Sequence, residues 1–431
     1  MISPKMSNKS LALLGIIIIL LWSTQFIATP ASKYKRFKIV DANADVKKGA
    51  GTKTKPYKDL QYAIDHCSDG DTILIKPGVY TAEAHTFLED LCGNCQNHLT
   101  NVTASRGFLV EGKGLTIIGV GPEEVKLITN AGYGVLFLNS RGSVISGVTI
   151  AGGKRDPDGA ATDAAIVAKF SSVTVNNCLI TGNTDFIDSV IVGIAGIAGR
   201  EGANLIITRN RIIDNSWDGI ALYRGAEAYI SDNLIQKGRG VGIGITWDSY
   251  CVVTGNTISE YWKGIGSFGD AQALVKNNIV RDCLGWGIIA SGSSYMDAAN
   301  NVVYHNGNCG MAVWGEDAEG SFTNNIVVMN GWKEQWVAPG VGIQNFGGYK
   351  NFDISYNDVW GNQAGEYGDM PDLTGLKGNI SLDPNFSAPD SGDFRLNVNS
   401  PCLDRGNPLI SCPEGGISDM GIYSELRIWR N

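Results

Sequence analysis

A repeat constrains this chain more than any other feature. A Gly followed by an aliphatic residue recurs at Gly219-Ile220, Gly242-Ile243, Gly264-Ile265, Gly287-Ile288, Gly310-Met311 and Gly342-Ile343, with spacings of 23, 22, 23, 23 and 32. A second column precedes it at Asn210, Asn233, Asn256, Asn277, Asn300, Asn324 and Asn357, with an Ile or Val two residues on and spacings of 23, 23, 21, 23, 24 and 33. Two columns that keep one period mark a repeat architecture. The period is too short for two helices, and the stretches between turns are Ile- and Val-rich with alternation, which reads as short strands. Each repeat is then a coil of strands that cannot bury its apolar face alone. Stacked at about 4.8 Å, successive coils form parallel sheets along a solenoid. Asn suits the turns because it tolerates the left-handed backbone region and its amide can bond the Asn of the next coil. Gly supplies 55 of 431 residues, about twice the ordinary share, as a chain with this many turns requires.

The repeats resemble those of secreted right-handed parallel β-helix proteins, the pectin-lyase-like fold. The entry stretch Gly51-Thr-Lys-Thr-Lys-Pro-Tyr-Lys-Asp-Leu60, then Ala63-Ile64 and Gly70-Asp-Thr-Ile-Leu-Ile-Lys-Pro-Gly-Val-Tyr80, is similar to the first segment of that superfamily. Asp383-Pro-Asn-Phe386, Gly392-Asp-Phe-Arg-Leu396, Ser400-Pro-Cys-Leu-Asp404 and Asp419-Met-Gly421 resemble its closing segment in bacterial members. The resemblance spans residues 38–424 and implies an all-β, single-stranded right-handed parallel β-helix of about ten coils. It does not fix an activity, because the fold hosts lyases, hydrolases, epimerases and non-catalytic surface proteins. Leu60, Ala63, Ile64 and Cys67 share one helical face, so a short N-terminal helix is expected to close the open end of the stack. Insertions at 81–106 and 152–163 interrupt the coils, and long loops on one side of a solenoid commonly wall a binding groove.

Residues 1–31 are a different kind of sequence. Lys5 and Lys9 precede the apolar run 11–22 and the small-residue stretch Ala28-Thr-Pro-Ala31, the pattern of a secretory signal. Counted on to Ile27, the run also fits an uncleaved membrane anchor. The expected location is secreted, cell-surface or periplasmic, and the expected state a monomer. The formal charge is −8, and −10 without Lys5 and Lys9, which excludes nucleic acid as a partner because a phosphate backbone needs Lys and Arg to neutralise it. Nine cysteines in an exported chain leave at least one free. Cys92-Gly-Asn-Cys95 with His98 reads as a loop disulfide or a metal or redox site, Cys402 with Cys412 as a second bridge, and Cys178, Cys251, Cys283 and Cys309 as small buried thiols.

Counting each coil from its Gly as zero, positions one and three are aliphatic and face inward, so position four faces outward. Down the stack it reads Tyr223, Thr246, Phe268, Ser291, Trp314 and Phe346. A column of exposed aromatics is unusual on a surface, and flat rings can stack on sugars. Position six reads Gly225, Asp248, Asp270, Ser293, Glu316 and Gly348, a line of carboxylates. The loops before the Gly add Trp217 and Asp218, Tyr261, Trp262 and Lys263, and Trp286, while Arg224 and Trp247 hold position five and Arg239 lies one coil on from Trp217. The expected groove has an aromatic wall of Trp217, Tyr223, Trp247, Trp262, Phe268, Trp286 and Trp314, with Arg239 also contacting substrate. Each of these residues has a plainer reading too: turn Asp residues cap amides, rings pack over the sheet, and surface cations are solvated.

Two chemistries fit. In glycoside hydrolysis one carboxylic acid protonates the leaving oxygen and another acts as base or nucleophile. Asp248 with Asp270, backed by Glu316 or Asp218, would be that set, their repulsion raising one pKa. In a uronate lyase or epimerase the slow step removes the proton beside the carboxylate, which needs a base and a cation. Lys263 or Arg224 with Asp248 and Asp270 would serve, and members of the resembled superfamily commonly use Asp-bound Ca²⁺, the one cofactor considered. Asp156, Asp158 and Asp163 offer oxygen ligands for Ca²⁺ or an ordinary Asx turn. The four histidines are scattered, leaving no zinc site or serine triad. The sequence thus points to a polysaccharide-active protein, a lyase, glycoside hydrolase or epimerase. The alternative is a non-catalytic carbohydrate-binding surface or adhesion protein.

Overall fold

The computed structural model describes residues 36–423 apart from 46–48, 92–100, 186, 189–190, 334–338, 347–350 and 411–415. Residues 1–31, Cys92, Cys95, His98, Gly348 and Cys412 lie outside the described residues.

Short alternating strands stack as the repeat requires. Each coil contributes one strand to each of three sheets, as in Tyr250–Thr254, Thr257–Ser259 and Lys263–Phe268. The first sheet has 12 strands, the second 11 and the third 12. Neighbouring coils pair in parallel throughout, except for His85–Glu89, which runs antiparallel to Val102–Glu111 at the end of the third sheet. The second sheet counts 11 coils. The chain is a right-handed parallel β-helix, and the Gly-Ile column lies in register down the third sheet: Ile220, Ile243, Ile265, Ile288, Met311 and Ile343 are successive partners.

Positions one and three do face inward: Ile220, Leu222, Ile243, Ile245, Ile288 and Val313 belong to one continuous buried core, each large aliphatic worth roughly 1.5–3 kcal/mol. The column glycines have no room for a side chain, since a Cβ on Gly242 would fall 2.4 Å from Ile258 Cγ2 and 2.6 Å from the Gly264 carbonyl. Helix Leu60–Asp65, capped by Asp59 Oδ1 accepting the Tyr62 amide at 2.6 Å, lays Leu60, Ala63 and Ile64 over the first core layer. Tyr367, Met370 and Leu373 pack against the core at the last coils.

The Asn column is corrected by one residue in three coils. The ladder runs Asn210, Asn233, Asn256, Asn278, Asn301, Asn325, Asn357 and Asn379, each Nδ2 donating to the next Oδ1 at 2.9–3.1 Å. Asn277, Asn300 and Asn324 instead hold the left-handed position just before it, with φ of 58°, 55° and 59°. Their side chains dock the C-terminal segment. Asn277 Oδ1 accepts the Tyr423 amide, Asn300 Nδ2 donates to the carbonyls of Asp419 and Gly421, and Asn324 Oδ1 accepts the Asn407 amide. That segment lies along the second sheet, where Phe394, Cys402 and Met420 cover Ile279, Val302 and Ile326. Cys402 is a free thiol 3.2 Å from Asp358 Oδ2, so the bridge expected of it is not formed. Cys178, Cys251, Cys283 and Cys309 are buried free thiols as expected.

Candidate functional site

The outer face of the third sheet carries the candidate residues. Its alternation is broken at the column Gly, so the position before the Gly faces outward along with positions two and four. The first of these columns passes Asp218, Val241, Lys263 and Trp286, the last three in strand register. The middle column passes Ala221, Gly244, Gly266 and Ile289, and the last Tyr223, Thr246, Phe268 and Ser291. At Gly244 a Cβ would meet nothing closer than 3.7 Å, whereas at Gly266 it would fall 2.4 Å from Phe268 Cζ. The floor between the two walls is therefore bare backbone at Gly244 and is covered by the Phe268 ring one coil on.

Asp218 and Lys263 are brought into one electrostatic unit. Asp218 is buried, and its Oδ1 accepts the Val241 amide at 2.6 Å. Burial pushes its carboxyl up to about 7, against the pull of that amide and of the Lys263 charge. Lys263 is held between rings, its Nζ 5.5 Å from the Phe268 centroid and 5.4 Å from that of Trp286, a cation–π setting. Burial draws its ammonium below the usual lysine range, with the Asp218 charge opposing. On the opposite wall burial raises the Tyr223 phenol, and the Asp218 charge raises it further while Arg200 and Arg224 pull it down.

Arg224 does not stand free at position five. Its Nε and Nη2 donate to Glu201 Oε1 at 2.8 and 2.5 Å, and its guanidinium lies 5.6 Å from the Trp247 ring. Arg200, fully buried, also reaches Glu201 Oε1 at 3.1 Å and donates to Tyr133 Oη at 3.2 Å, Thr162 Oγ1 at 2.9 Å and the Leu91 carbonyl at 2.7 Å. Burial would raise Glu201, yet the hydrogen bonds and charges of Arg224 and Arg200 hold its carboxyl below the usual range. Sequence reasoning missed Arg200 and Glu201, although Gly196-Ile197 extends the Gly column one coil back and places Arg200 at position four.

The two insertions do lie on this face. Strand His85–Glu89 and the loop 152–163 cover it over the earlier coils, where Val102, Tyr133, Ala161 and Val167 form a second apolar cluster. The buried ion pair Lys169–Glu89 ties the first insertion to the third sheet, and the buried pair Arg155–Asp163 closes the second on itself. Asp156 accepts the Ser105 amide at 2.8 Å, and Asp158 accepts the amides of Thr103 at 3.1 Å and Ala160 at 3.0 Å, the last an Asx turn, while Asp163 Oδ1 is buried without a hydrogen-bond partner among the described residues.

The remaining candidates are spread along the face. Asp248, Asp270 and Glu316 are exposed at turns after the strands, and Asp248 Oδ1 accepts the Gly225 amide at 2.8 Å, so this line lies apart from Asp218 and Lys263. Arg239 is exposed and Trp217 half-buried. Tyr261, one of the loop residues before the Gly, is buried in the core. The aromatic column is continuous: Trp262 meets Trp286 and Trp286 meets Trp314 edge to face, both at 5.7 Å, and Trp314 lies 3.9 Å from Phe346. Trp247 tilts against Tyr223 at 5.6 Å. Trp286 is only 4 % exposed, so it supports the strip from beneath, while Trp262, Phe268, Trp314 and Phe346 are half-buried.

Two family models match the chain. That described as "Right handed beta helix region" matches residues 91–258, and "Periplasmic copper-binding protein (NosD)" matches residues 176–367. The described residues do not fit copper: no group of three or more His, Cys, Asp or Glu is placed to hold a metal. Burial raises the Cys178 and Cys283 thiols to about 12, the opposite of a thiolate ligand, and His305 Nδ1 is engaged with Asp282 at 2.7 Å. Among the described residues no helix is long and apolar enough to cross a membrane. Of solved structures, pectate lyase Pel9A is similar over 91 % of this chain and 97 % of its own at 14 % identity, with a TM-score of 0.51. The A-module of the mannuronan C-5 epimerase AlgE4 of Azotobacter vinelandii is 13 % identical over 80 % of this chain and 97 % of its own, with a TM-score of 0.42. At such identities the likeness is one of fold.

Proposed function

We propose, from the premise that this chain is a right-handed parallel β-helix protein of the pectin-lyase-like superfamily, that it binds a polysaccharide along the outer face of its third sheet and moves a proton on a uronate unit, as a lyase or epimerase. The observation that carries this reading is the placing of Asp218, whose carboxyl burial pushes up to about 7, two coils from Lys263 in one column along the same wall. A base is most effective when its pKa lies near the working pH. In this reading Lys263 takes the uronate carboxylate, and Asp218 accepts the proton from the adjoining carbon while the electron pair moves into the carboxylate. Tyr223, still protonated, stands on the opposite wall to return a proton. If the neighbouring C–O bond breaks, the products are one reducing end and one unsaturated uronate. If instead the carbon is reprotonated on its other face, the product is the epimer.

Residues 1–31 would direct the chain out of the cytoplasm. The test incubates the mature protein, with and without Ca²⁺, with acidic and neutral polysaccharides, following reducing ends and the ultraviolet absorbance of unsaturated uronates. New absorbance supports a lyase. Reducing ends without it would favour a hydrolase. The capping of Gly225 by Asp248 and the burial of Trp286 favour a second reading, a non-catalytic glycan-binding protein. Binding with neither product nor epimer would establish that one.

A further inference from the structure

The outer face of the third sheet is electrically divided. Over the coils of Asp218, Val241 and Lys263 it carries a carboxyl and an ammonium, with Arg224 and Arg200 beside them, and Lys333 adds its ammonium 5.5 Å from the Trp262 ring. Over the next three coils the same three columns read Trp286, Ile289 and Ser291, then Cys309, Ala312 and Trp314, then Val341, Gln344 and Phe346, without one charge. Trp286 Nε1 and Gln344 Oε1 are a buried donor and a buried acceptor without a hydrogen-bond partner among the described residues. The charges that flank this half are carboxylates, Glu316 two residues after Trp314 and Asp369, to whose carboxylate Gln344 donates, and both would repel a second uronate.

A polyanion with a carboxylate on every unit would have to leave its charges desolvated against this second half, a burial that is costly without partners. Flat rings and hydroxyl-sized polar groups suit an uncharged sugar instead. We propose that the substrate is a mixed polymer: a uronate lies at Lys263, and a neutral sugar stacks at Trp314, two coils or about 10 Å farther along. This inference rests on the polysaccharide reading and specifies its substrate class.

The test measures binding by calorimetry in the Asp218→Asn background, so that turnover does not intervene. The probes are a homopolymer of uronate, a neutral glucan, and mixed polymers in which each uronate is followed by two neutral sugars, so that the unit two removed from a uronate is uncharged. The mixed polymers are expected to bind at least tenfold more tightly than either homopolymer. Trp314→Ala should erase their advantage over the uronate homopolymer, and Lys263→Met their advantage over the glucan. Ser291→Lys, at a half-buried position where only the backbone amide is bonded within the turn, should raise affinity for the uronate homopolymer and guards against a misfolded Trp314 variant. A uronate homopolymer bound as tightly as the mixed polymers, and unaffected by Trp314→Ala, would overturn the mixed-polymer inference while leaving polysaccharide binding standing. Failure to bind all three would overturn both.

Discussion

The backbone amide of Val241 donates to Asp218 Oδ1 at 2.6 Å, which fixes the carboxyl at the mouth of a strand with one protein donor and little water. One neutral donor does not offset burial, so the group keeps its proton to about pH 7. Asp218→Asn should therefore lower kcat by roughly 10²–10⁴, the usual contribution of a positioned acid–base group, without lowering Tm, because it removes a buried charge. Steady-state kinetics beside a thermal melt check this.

The same carboxyl sets the pH profile. As the base it must be ionised, so kcat/KM should rise as pH passes about 7 and fall again where Lys263 loses its proton, below the usual lysine range. A Lys263→Arg variant should move only the alkaline limb upward. An acidic limb that survives in Asp218→Asn would assign the base elsewhere.

Gly240 makes room for this carboxyl, since a Cβ there would fall 2.0 Å from Asp218 Oδ1. Gly240→Ala is expected to swing the carboxylate away and reduce activity nearly as far as Asp218→Asn. Its far-ultraviolet circular dichroism should stay that of the parent.

The ladder and the left-handed positions before it predict opposite effects on stability. Asn256→Ala leaves the amide of Asn233 without its acceptor, takes one acceptor from Asn233 Nδ2, which keeps the carbonyls of Ile207 and Ser231, and removes the Nδ2 donor from the carbonyl of Ile230; an orphaned buried group costs about 1–3 kcal/mol. Arg209→Gly, at an exposed residue with φ of 56°, should be neutral or stabilise by up to about 1 kcal/mol. Asn300→Gly also relieves the backbone but releases the carbonyls of Asp419 and Gly421, so its Tm should fall. Denaturant melts of the three variants separate these cases.

Asp358 provides a stability test away from the site. Buried, with Cys402 and the Leu382 amide as donors, its carboxyl is raised by burial to about 7. A carboxyl raised on folding is without penalty below its unfolded value near 4 and destabilises progressively as pH climbs through its folded value. The stability of Asp358→Asn relative to the parent should therefore grow from about pH 4 to about pH 7 and level off above. A difference independent of pH would refute the assignment.

The periodicity made the coils legible, because the Gly column is enforced by backbone from the next coil and the Asn column by a side-chain ladder. The off-by-one reading at Asn277, Asn300 and Asn324 arose because two consecutive positions favour Asn for different reasons, one for the ladder and one for docking the C-terminal segment. The site was legible only in outline. Asp218, Lys263 and Tyr223 all stood among the candidates, but their ranking depends on burial, which spacing does not report. Asp248 and Asp270 fall on a line in the sequence yet sit at exposed turns, and Arg200 gains its partners Tyr133, Thr162 and Leu91 from earlier coils and insertions that no local pattern connects.

Proton exchange at the carbon beside the uronate carboxylate tests the central claim most directly, since lyase and epimerase share that step. Incubated in deuterium oxide with the mature protein, a uronate-containing polysaccharide should lose the proton-resonance signal of that position, and Asp218→Asn should abolish the loss. Unchanged exchange in Asp218→Asn, or cleavage of the chain with no exchange and no unsaturated product, would contradict the account.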